Sequence, residues 1–216
     1  MKPAAVLLAL ALAACLPSKG ASSGKCPRDH SLEIGLQEDV ARFAGCEKAA
    51  GVTIRTGATI DVTPLHELAE ITGDLSVGPT VGVDELAFNG LLRVGGTIRI
   101  VNNGSLRGLF FPRLEKVGRI EIENNAVLAS ISMPRVKAVQ GAVVVTDNNA
   151  LEMLSASLLE TIGTELVISG HPKLNLVELG HLTSLQAIRL EDNPKLPADV
   201  VEQLVARSAT PPTKKL

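Results

Sequence analysis

The sequence predicts an all-β fold: a right-handed β-helix, or β-solenoid, of about seven stacked turns of 22–23 residues, capped by a short helix at each end. Three observations predict it. An aliphatic pair recurs at a near-constant period, an Asn recurs at a fixed distance after the pair, and aliphatic residues dominate a chain with only 2% aromatic residues. Such a period is typical of solenoids, in which stacked turns, here called rungs, bury a core that one rung cannot bury alone.

The repeat is clearest in strand-like pairs of aliphatic residues separated by one residue. Successive pairs are 23, 23, 22, 23, 23 and 22 residues apart. Because side chains alternate along a strand, both members of a pair lie on the same face, which we expect to be the inside of the coil. The pairs are Val52/Ile54, Leu75/Val77, Ile98/Ile100, Ile120/Ile122, Val143/Val145, Leu166/Ile168 and Ile188/Leu190.

An Asn follows the second member of the pair by three residues in several rungs, and Thr80 and His171 take that position in two others. At a sharp corner, an inward amide bonds backbone groups that the bend leaves unpaired, and stacked amides can bond each other. The alternative is a sugar-binding or ion-binding site, but the fixed position in the repeat favours a structural role. The predicted structural ladder contains Asn103, Asn125, Asn148 and Asn193.

The N-terminal segment predicts export and anchoring. Residues 1–14 combine Lys2 with a short apolar run and small residues before Cys15, which resembles the lipobox of bacterial lipoproteins. Cys15 is therefore the predicted lipidation site, and residues 15–25 are a polar, flexible tether. The alternative is an ordinary secretory signal with an incidental cysteine. By analogy with lipoproteins, Leu16 favours the outer membrane of the cell envelope, with the chain facing the periplasm or the surface.

Two further cysteines, Cys26 and Cys46, remain if Cys15 carries lipid. Export to an oxidising compartment permits a disulfide between them. Two free thiols or a metal pair are the alternatives, although no His or third Cys lies at zinc-ligand spacing.

Residues 26–208 form the predicted solenoid domain, and its ends carry helical patterns. Apolar residues recur at helical spacing before Gly45, which predicts a helix over residues 37–44. A second amphipathic pattern predicts a helix over residues 198–207 that covers the last rung. Residues 209–216 are expected to be a disordered tail.

Composition and motifs argue against several functions. The net charge of −2 supplies no field that recruits nucleic acid, and the absence of Trp and Tyr leaves few rings for stacking on bases or sugars. The sequence contains no familiar catalytic motif, so we expect a non-enzymatic chain with no catalytic residues, cofactor or metal. Glu121 and Glu123 suit a weak cation site or, in the alternative of a carbohydrate-active β-helix enzyme, a carboxylate pair; a solvated strand face is the simpler interpretation.

The outward residues of the strands are the better candidates for binding. Val144 and Val167 form an apolar centre with charged residues on either side, which is typical of a modest protein-binding surface. The alternative is that these β-branched residues reflect strand propensity alone. The candidate binding face contains Arg99, Val101, Glu121, Glu123, Val144, Thr146, Val167, Ser169, Arg189 and Glu191.

The repeat resembles the receptor L-domain family, a leucine-rich-repeat-like β-helix. The resemblance covers roughly residues 26–208 and rests on the two cysteines that flank the short helix and on the segments VGGTIRIVNNGSL, VGRIEIENNAVL, VQGAVVVTDNNAL and LQAIRLEDNPKL. It implies a non-catalytic domain that works by recognition or cell-surface organisation. The expected partners are the membrane, through the lipid anchor, and a protein or envelope component, with glycan or envelope-polymer binding as the alternative.

Overall fold

A computed structural model describes residue 26 and residues 31–183, 185–209 and 213–215. The predicted lipidation site, Cys15, and the predicted signal peptide and tether lie outside the described residues. The predicted fold class is confirmed, because the chain forms a β-solenoid of about seven turns with two short helices.

Strands dominate the described chain. Helix α1 spans Gln37–Phe43, helix α2 spans Ala198–Val205, and a single 3₁₀ turn spans Thr63–Leu65. In chain order the strands are β1 (Ser31–Ile34), β2 (Lys48–Ala49), β3 (Gly51–Thr56), β4 (Glu70–Ile71), β5 (Leu75–Thr80), β6 (Glu85–Ala87), β7 (Arg93–Val101), β8 (Gly108–Phe110), β9 (Lys116–Glu123), β10 (Ser130–Ser132), β11 (Ala138–Val139), β12 (Val143–Thr146), β13 (Met153–Ser155), β14 (Thr161–Ile162), β15 (Glu165–Ser169), β16 (Leu176–Glu178), β17 (Ala187–Glu191) and β18 (Thr213–Lys215).

One long parallel stack, here called the main sheet, runs in the order β1-β3-β5-β7-β9-β12-β15-β17. Its register aligns the predicted aliphatic pairs, as in Ile98 opposite Ile120 and Ile120 opposite Val143. Both members of every predicted pair are buried. The spacing of the pairs therefore identifies the strands of the main sheet correctly, because only that register keeps the apolar side chains inside.

The first strand of the main sheet, β1, was not predicted. It pairs in parallel with β3, so that Leu32 lies opposite Val52 and Ile34 opposite Ile54. Its interval to β3, 20 residues from Leu32 to Val52, is shorter than the repeat, and α1 takes the place of a strand of the second sheet before β2. Beside it, a disulfide joins Cys26 to Cys46 with a Cα–Cα distance of 5.5 Å.

Two further sides close each rung. A second sheet has the order β16-β13-β10-β8-β6, and its inward residues include Leu109, Ile131 and Leu154 in register. The third side consists of β2, β4, β11, β14 and the first residues of β7 and β9. The aliphatic columns of all three sides form one buried core. At the corner before the main sheet the backbones approach closely, and a Cβ on Gly163 would overlap the Gln140 carbonyl oxygen.

Helix α2 covers the open end of the core beside β17, and its Val201 and Leu204 are buried. Within residues 209–216, the backbone of β18 pairs in parallel with β17. The outer edge of β17 offers unpaired backbone groups, which explains why a strand can add there. Neither helix of the described ranges is long and apolar enough to cross a bilayer.

Candidate functional site

The corner that follows each main-sheet strand holds a buried polar ladder. Asn103, Asn125 and Asn148 are fully buried. Asn103 Nδ2 donates to Asn125 Oδ1 at 2.8 Å, and Asn125 Nδ2 donates to Asn148 Oδ1 at 2.9 Å. Asn125 Nδ2 also lies 3.0 Å from the Ile100 carbonyl oxygen of the preceding rung. These amides satisfy backbone groups that the corner removes from sheet pairing, which is a structural task.

The ladder continues through the rungs that lack the Asn. Thr80 Oγ1 donates to Asn103 Oδ1 at 2.8 Å, so a hydroxyl takes the place of the amide at that end. At the other end, Asn193 Oδ1 accepts from the His171 backbone N–H at 3.3 Å. Asn193 Nδ2 donates to the Ile168 carbonyl oxygen at 2.8 Å. The four predicted ladder residues therefore belong to a longer column that Thr80 and His171 complete.

His171 is fully buried within this ladder. Its Nε2 lies 3.0 Å from the Val145 carbonyl oxygen, and its Nδ1 lies 3.3 Å from the Asn148 backbone nitrogen. Nδ1 also lies 3.2 Å from the Asn148 carbonyl oxygen. If the ring is neutral and Nε2–H donates to Val145, Nδ1 is left to accept from the Asn148 N–H. Burial lowers the pKa of His171 from its ordinary value of 6.5, and the backbone contacts and the nearby Asp147 carboxylate oppose this only in part.

The residue before each inward ladder position adopts a left-handed backbone conformation in most rungs. Sequence reasoning missed this column, although Asn, Asp and Gly are the residue types that tolerate positive φ best and would have marked it. Its members, with their φ angles, are Asn102 (58°), Asn124 (54°), Asp147 (54°), Gly170 (76°) and Asp192 (54°).

The solvent side of the main sheet, here called the outer face, brings together all of the predicted candidate binding residues. Parallel register places them in two adjacent columns across the strands, in which neighbours are about 4.8 Å apart. The first column contains Arg99, Glu121, Val144, Val167 and Arg189. The second column contains Val101, Glu123, Thr146, Ser169 and Glu191.

Glu121 is the most buried charged residue of the outer face, and two arginines contact it. Arg119 lies two residues earlier on the same strand and face, and its Nε donates to Glu121 Oε1 at 2.6 Å. Arg99 lies opposite Glu121 on the neighbouring strand, and its guanidinium contacts Glu121 Oε2. The Glu121 residue is only 8% exposed, whereas the side chain of Arg99 is 50% exposed. The cluster therefore presents guanidinium groups, and not the carboxylate, to solvent.

The apolar centre of the outer face, Val144 and Val167, exposes little surface. Val167 is buried, with 6% of its surface exposed, and Val144 is half-buried. Both lie on central strands, where outward side chains are screened by neighbours on either side. Thr146 and Ser169, which follow them in the second column, are also half-buried and bring hydroxyl groups to the surface. The middle of the face thus combines two valines of low exposure with two hydroxyl groups, and charged residues lie on either side of it.

Other chemical groups are either buried or scattered. Phe88 and Phe111 stack inside the coil, with ring centroids 5.7 Å apart and planes within 3°, so neither offers a ring face to a ligand. In the described part of the chain, no three His, Cys, Asp or Glu side chains gather in a way that suits a metal ion.

No protein-family model, curated protein or solved structure matches this chain.

Proposed function

We propose that this chain is a non-enzymatic lipoprotein of the cell envelope, anchored through Cys15, whose β-solenoid is a protein-binding or structural module. The observation that carries the proposal is the outer face of the main sheet. The solenoid is consistent with such a module, because stacking rungs produces a long, regular surface that recognition proteins use.

The outer face is open along its length in the described structure. Helix α1 packs beside β1 and the 3₁₀ turn, and helix α2 packs beside β17, so both helices lie at the ends of the main sheet. Between them, the columns offer the exposed Arg99 and Arg189 on either side of a centre of less exposed residues. A less exposed centre with charged residues on either side favours a protein partner, since charges at the rim of an interface select and steer a partner.

The environment of Glu121 supports a binding role over catalysis. A general acid or base needs a carboxylate that can reach a substrate, whereas both oxygens of Glu121 contact arginines and the residue is buried. Glycan binding is likewise less well supported, because the stacked pair Phe88 and Phe111 points into the core.

The receptor L-domain family remains the best proposal for ancestry. It is supported by the 22–23-residue period, by the helix between Cys26 and Cys46, and by the Asn corner. This proposal concerns the class of domain, and it assigns no ligand.

The lipid anchor has its own test. Wild-type chain and the Cys15→Ser variant are expressed in a bacterial host and fractionated. We expect the wild type in the membrane fraction and the variant in the soluble fraction. A variant that still partitions with membranes would remove the anchor from the proposal while leaving the binding face untouched.

The binding face is tested with two matched pairs of substitutions. Thr146→Arg with Ser169→Arg places two long cations on the outer face, at half-buried hydroxyl positions that are neighbours in register. Ser130→Arg with Ser132→Arg places the same change on the solvent side of the second sheet, again at half-buried positions. Partners are captured by crosslinking in cells and identified by mass spectrometry.

We expect the outer-face pair to lose the partners that the wild type captures and the second-sheet pair to keep them. Circular dichroism and urea unfolding verify that both proteins fold. Equal capture by both pairs would contradict the assignment of the outer face. A polysaccharide-cleaving activity that disappears in Glu121→Gln and Glu123→Gln would instead establish the enzyme alternative.

A further inference from the structure

A cleft of about 800 Å³ lies at the C-terminal end of the solenoid, apart from the outer face. It lies between helix α2 and the corners that follow the last main-sheet strands. The corners contribute Asp147, Gly170 and Asp192, and the helix contributes Val201. This volume falls in the range of small-molecule sites, which is about 300–1,000 Å³.

The floor of the cleft is apolar because the repeat ends here. Leu190, Leu196 and Val201 line it, and they are 6%, 8% and 9% exposed. In the middle of the solenoid, a residue equivalent to Leu190 is covered by a complete rung, whereas here only the short strand β18, whose Lys214 lies opposite Leu190, and α2 lie beyond it. An α-helix of eight residues is about 12 Å long, too short to cover the whole end of a three-sided coil. Apolar surface is therefore left accessible at one side of α2.

The rim of the cleft is acidic. Asp147 and Asp192 take the same left-handed corner position, two rungs apart, so their backbones are separated by roughly 10 Å. Gly170 occupies that position in the rung between them, and the Asp147 carboxylate lies over it, since a Cβ on Gly170 would be 2.5 Å from Asp147 Oδ1. Among the described residues that line the cleft, none is basic.

The position of the two aspartates is informative. Away from the cleft, the same corner position holds the neutral Asn102 and Asn124. Asn and Asp both tolerate a left-handed backbone, so the backbone does not require the change from amide to carboxylate. Carboxylates therefore occupy this corner position only beside the cleft, and the repeat itself does not require them.

We propose that this cleft binds a small amphipathic cation. Its apolar body lies against Leu190, Leu196 and Val201, and its positively charged head lies between Asp147 and Asp192. Contact with the apolar floor of the cleft removes the apolar surface of the ligand from water, which favours binding. The carboxylates favour a cation and repel a ligand of the same shape that carries a carboxylate. The proposal is independent of the outer face and of the lipid anchor.

The test is isothermal titration of the full chain carrying Cys15→Ser, so that no lipid attached at Cys15 competes. Three probes separate the contributions: octyltrimethylammonium carries body and charge, octanoate carries the body with the opposite charge, and tetramethylammonium carries the charge alone. We expect saturable binding of octyltrimethylammonium at one site, with octanoate and tetramethylammonium each binding at least tenfold more weakly, about 1.4 kcal/mol.

Variants locate the site. Asp147→Asn with Asp192→Asn keeps residue types that suit the left-handed corner, and we expect it to weaken octyltrimethylammonium binding about fivefold or more, the scale of two exposed ion pairs. Ala198→Trp, which fills the cleft from α2, is expected to abolish binding. Glu202→Gln removes a carboxylate from the exposed side of the same helix and is expected to leave binding unchanged.

Three results would overturn the proposal. They are the absence of saturable binding by octyltrimethylammonium, octanoate binding of equal strength, and an affinity that the double Asp→Asn variant leaves unaltered. Thermal unfolding followed by circular dichroism verifies that each variant is folded at the titration temperature.

Discussion

The buried corner ladder and the outer face of the main sheet differ in how freely residue type varies along a column. In the six rungs from Thr80 to Asn193, the ladder position holds Asn in four and Thr80 or His171 in the other two, and both replacements keep hydrogen bonds to the neighbouring rung. On the outer face, one column passes from Arg99 through Glu121 and two valines to Arg189. The two columns belong to the same strands and corners, so backbone geometry alone does not explain the difference.

Solvent access explains it. An inward corner residue must form hydrogen bonds with the carbonyl groups around it. A buried polar group that loses its bonds to water and gains no protein partner destabilises the fold. An outward residue can form hydrogen bonds with water instead of a protein partner. Folding therefore does not restrict its residue type, which is free to serve binding. The comparison assigns the ladder to folding and the outer face to recognition, and substitutions in each region test that division.

The largest effect is expected in the middle of the ladder. Asn125→Ala removes donors to Ile100 and Asn148 and the acceptor of Asn103, leaving several buried groups unpaired. At about 1–3 kcal/mol for each unsatisfied group, we expect a loss of about 3–6 kcal/mol in the free energy of unfolding. Urea unfolding followed by circular dichroism measures it.

The matched control for the ladder is the exposed Asn175, whose amide bonds only locally, to the Lys173 carbonyl oxygen. Asn175→Ala is expected to change stability by about 0.5 kcal/mol or less, as is usual for surface positions. Similar losses for Asn125→Ala and Asn175→Ala would erase the distinction between inward and outward asparagines.

A smaller effect is expected at Glu121, where the outer face most resembles an interior. Glu121→Gln keeps the size of the side chain but weakens its bonds to Arg99 and Arg119. We expect a loss of about 1–2 kcal/mol, because both arginines are partly exposed and solvent screens the pairs. Glu123→Gln, on the same strand and face, is the control and is expected to be nearly neutral. A larger loss in the control would mean that Glu121 has no special structural role.

The ladder histidine predicts a pH dependence. Because burial lowers the pKa of His171 below 6.5, the unfolded chain binds a proton more readily than the folded chain. The stabilisation is fully present above pH 6.5 and is lost as pH falls from 6.5 toward the lowered pKa, with a slope of at most about 1.4 kcal/mol per pH unit.

Unfolding midpoints in urea at pH 7.5, 6.5 and 5.5 test the pH dependence. His171→Asn restores the residue type of the neighbouring corners and is expected to flatten the decline. His66 is exposed, so His66→Asn is the control and is expected to keep the slope of the wild type. An unchanged slope in His171→Asn would show that the ladder histidine is not the titrating group.

The smallest effect is expected at the exposed flank of the outer face. Arg189→Ala is expected to change the free energy of unfolding by about 0.5 kcal/mol or less. If the outer face serves recognition, the same substitution nevertheless reduces capture of a partner in crosslinking. A loss of stability without a change in capture would assign Arg189 to folding instead.

Much of this fold is predictable from sequence because each rung of a solenoid repeats the same pattern of strands and corners. The aliphatic pairs specify the strands of the main sheet, and the three-residue step from pair to Asn specifies the corner. Strand β1 escaped because α1 shortens its interval, so Leu32 and Ile34 fall outside the period. The left-handed column escaped because Asn, Asp and Gly look different in sequence while serving the same backbone conformation.

The functional surfaces were less predictable, since they depend on neighbours from different rungs. The ten outer-face candidates follow from alternation along strands, and the structure places them on one face. The burial of Val167 and the contact of Arg119 with Glu121 depend on side-chain placement across the sheet. The cleft depends on how α2 lies across the end of the last rung, which the helical pattern of residues 198–207 does not specify.

The division between ladder and outer face is tested most directly by photo-crosslinking in cells. A photoreactive amino acid replaces Thr146 on the outer face in one protein and Ser132 on the second sheet in another. The account predicts a discrete partner adduct from position 146 that disappears when Ser169→Arg is added, and no such adduct from position 132. An adduct from position 132 alone, or one at position 146 that survives Ser169→Arg, would contradict it.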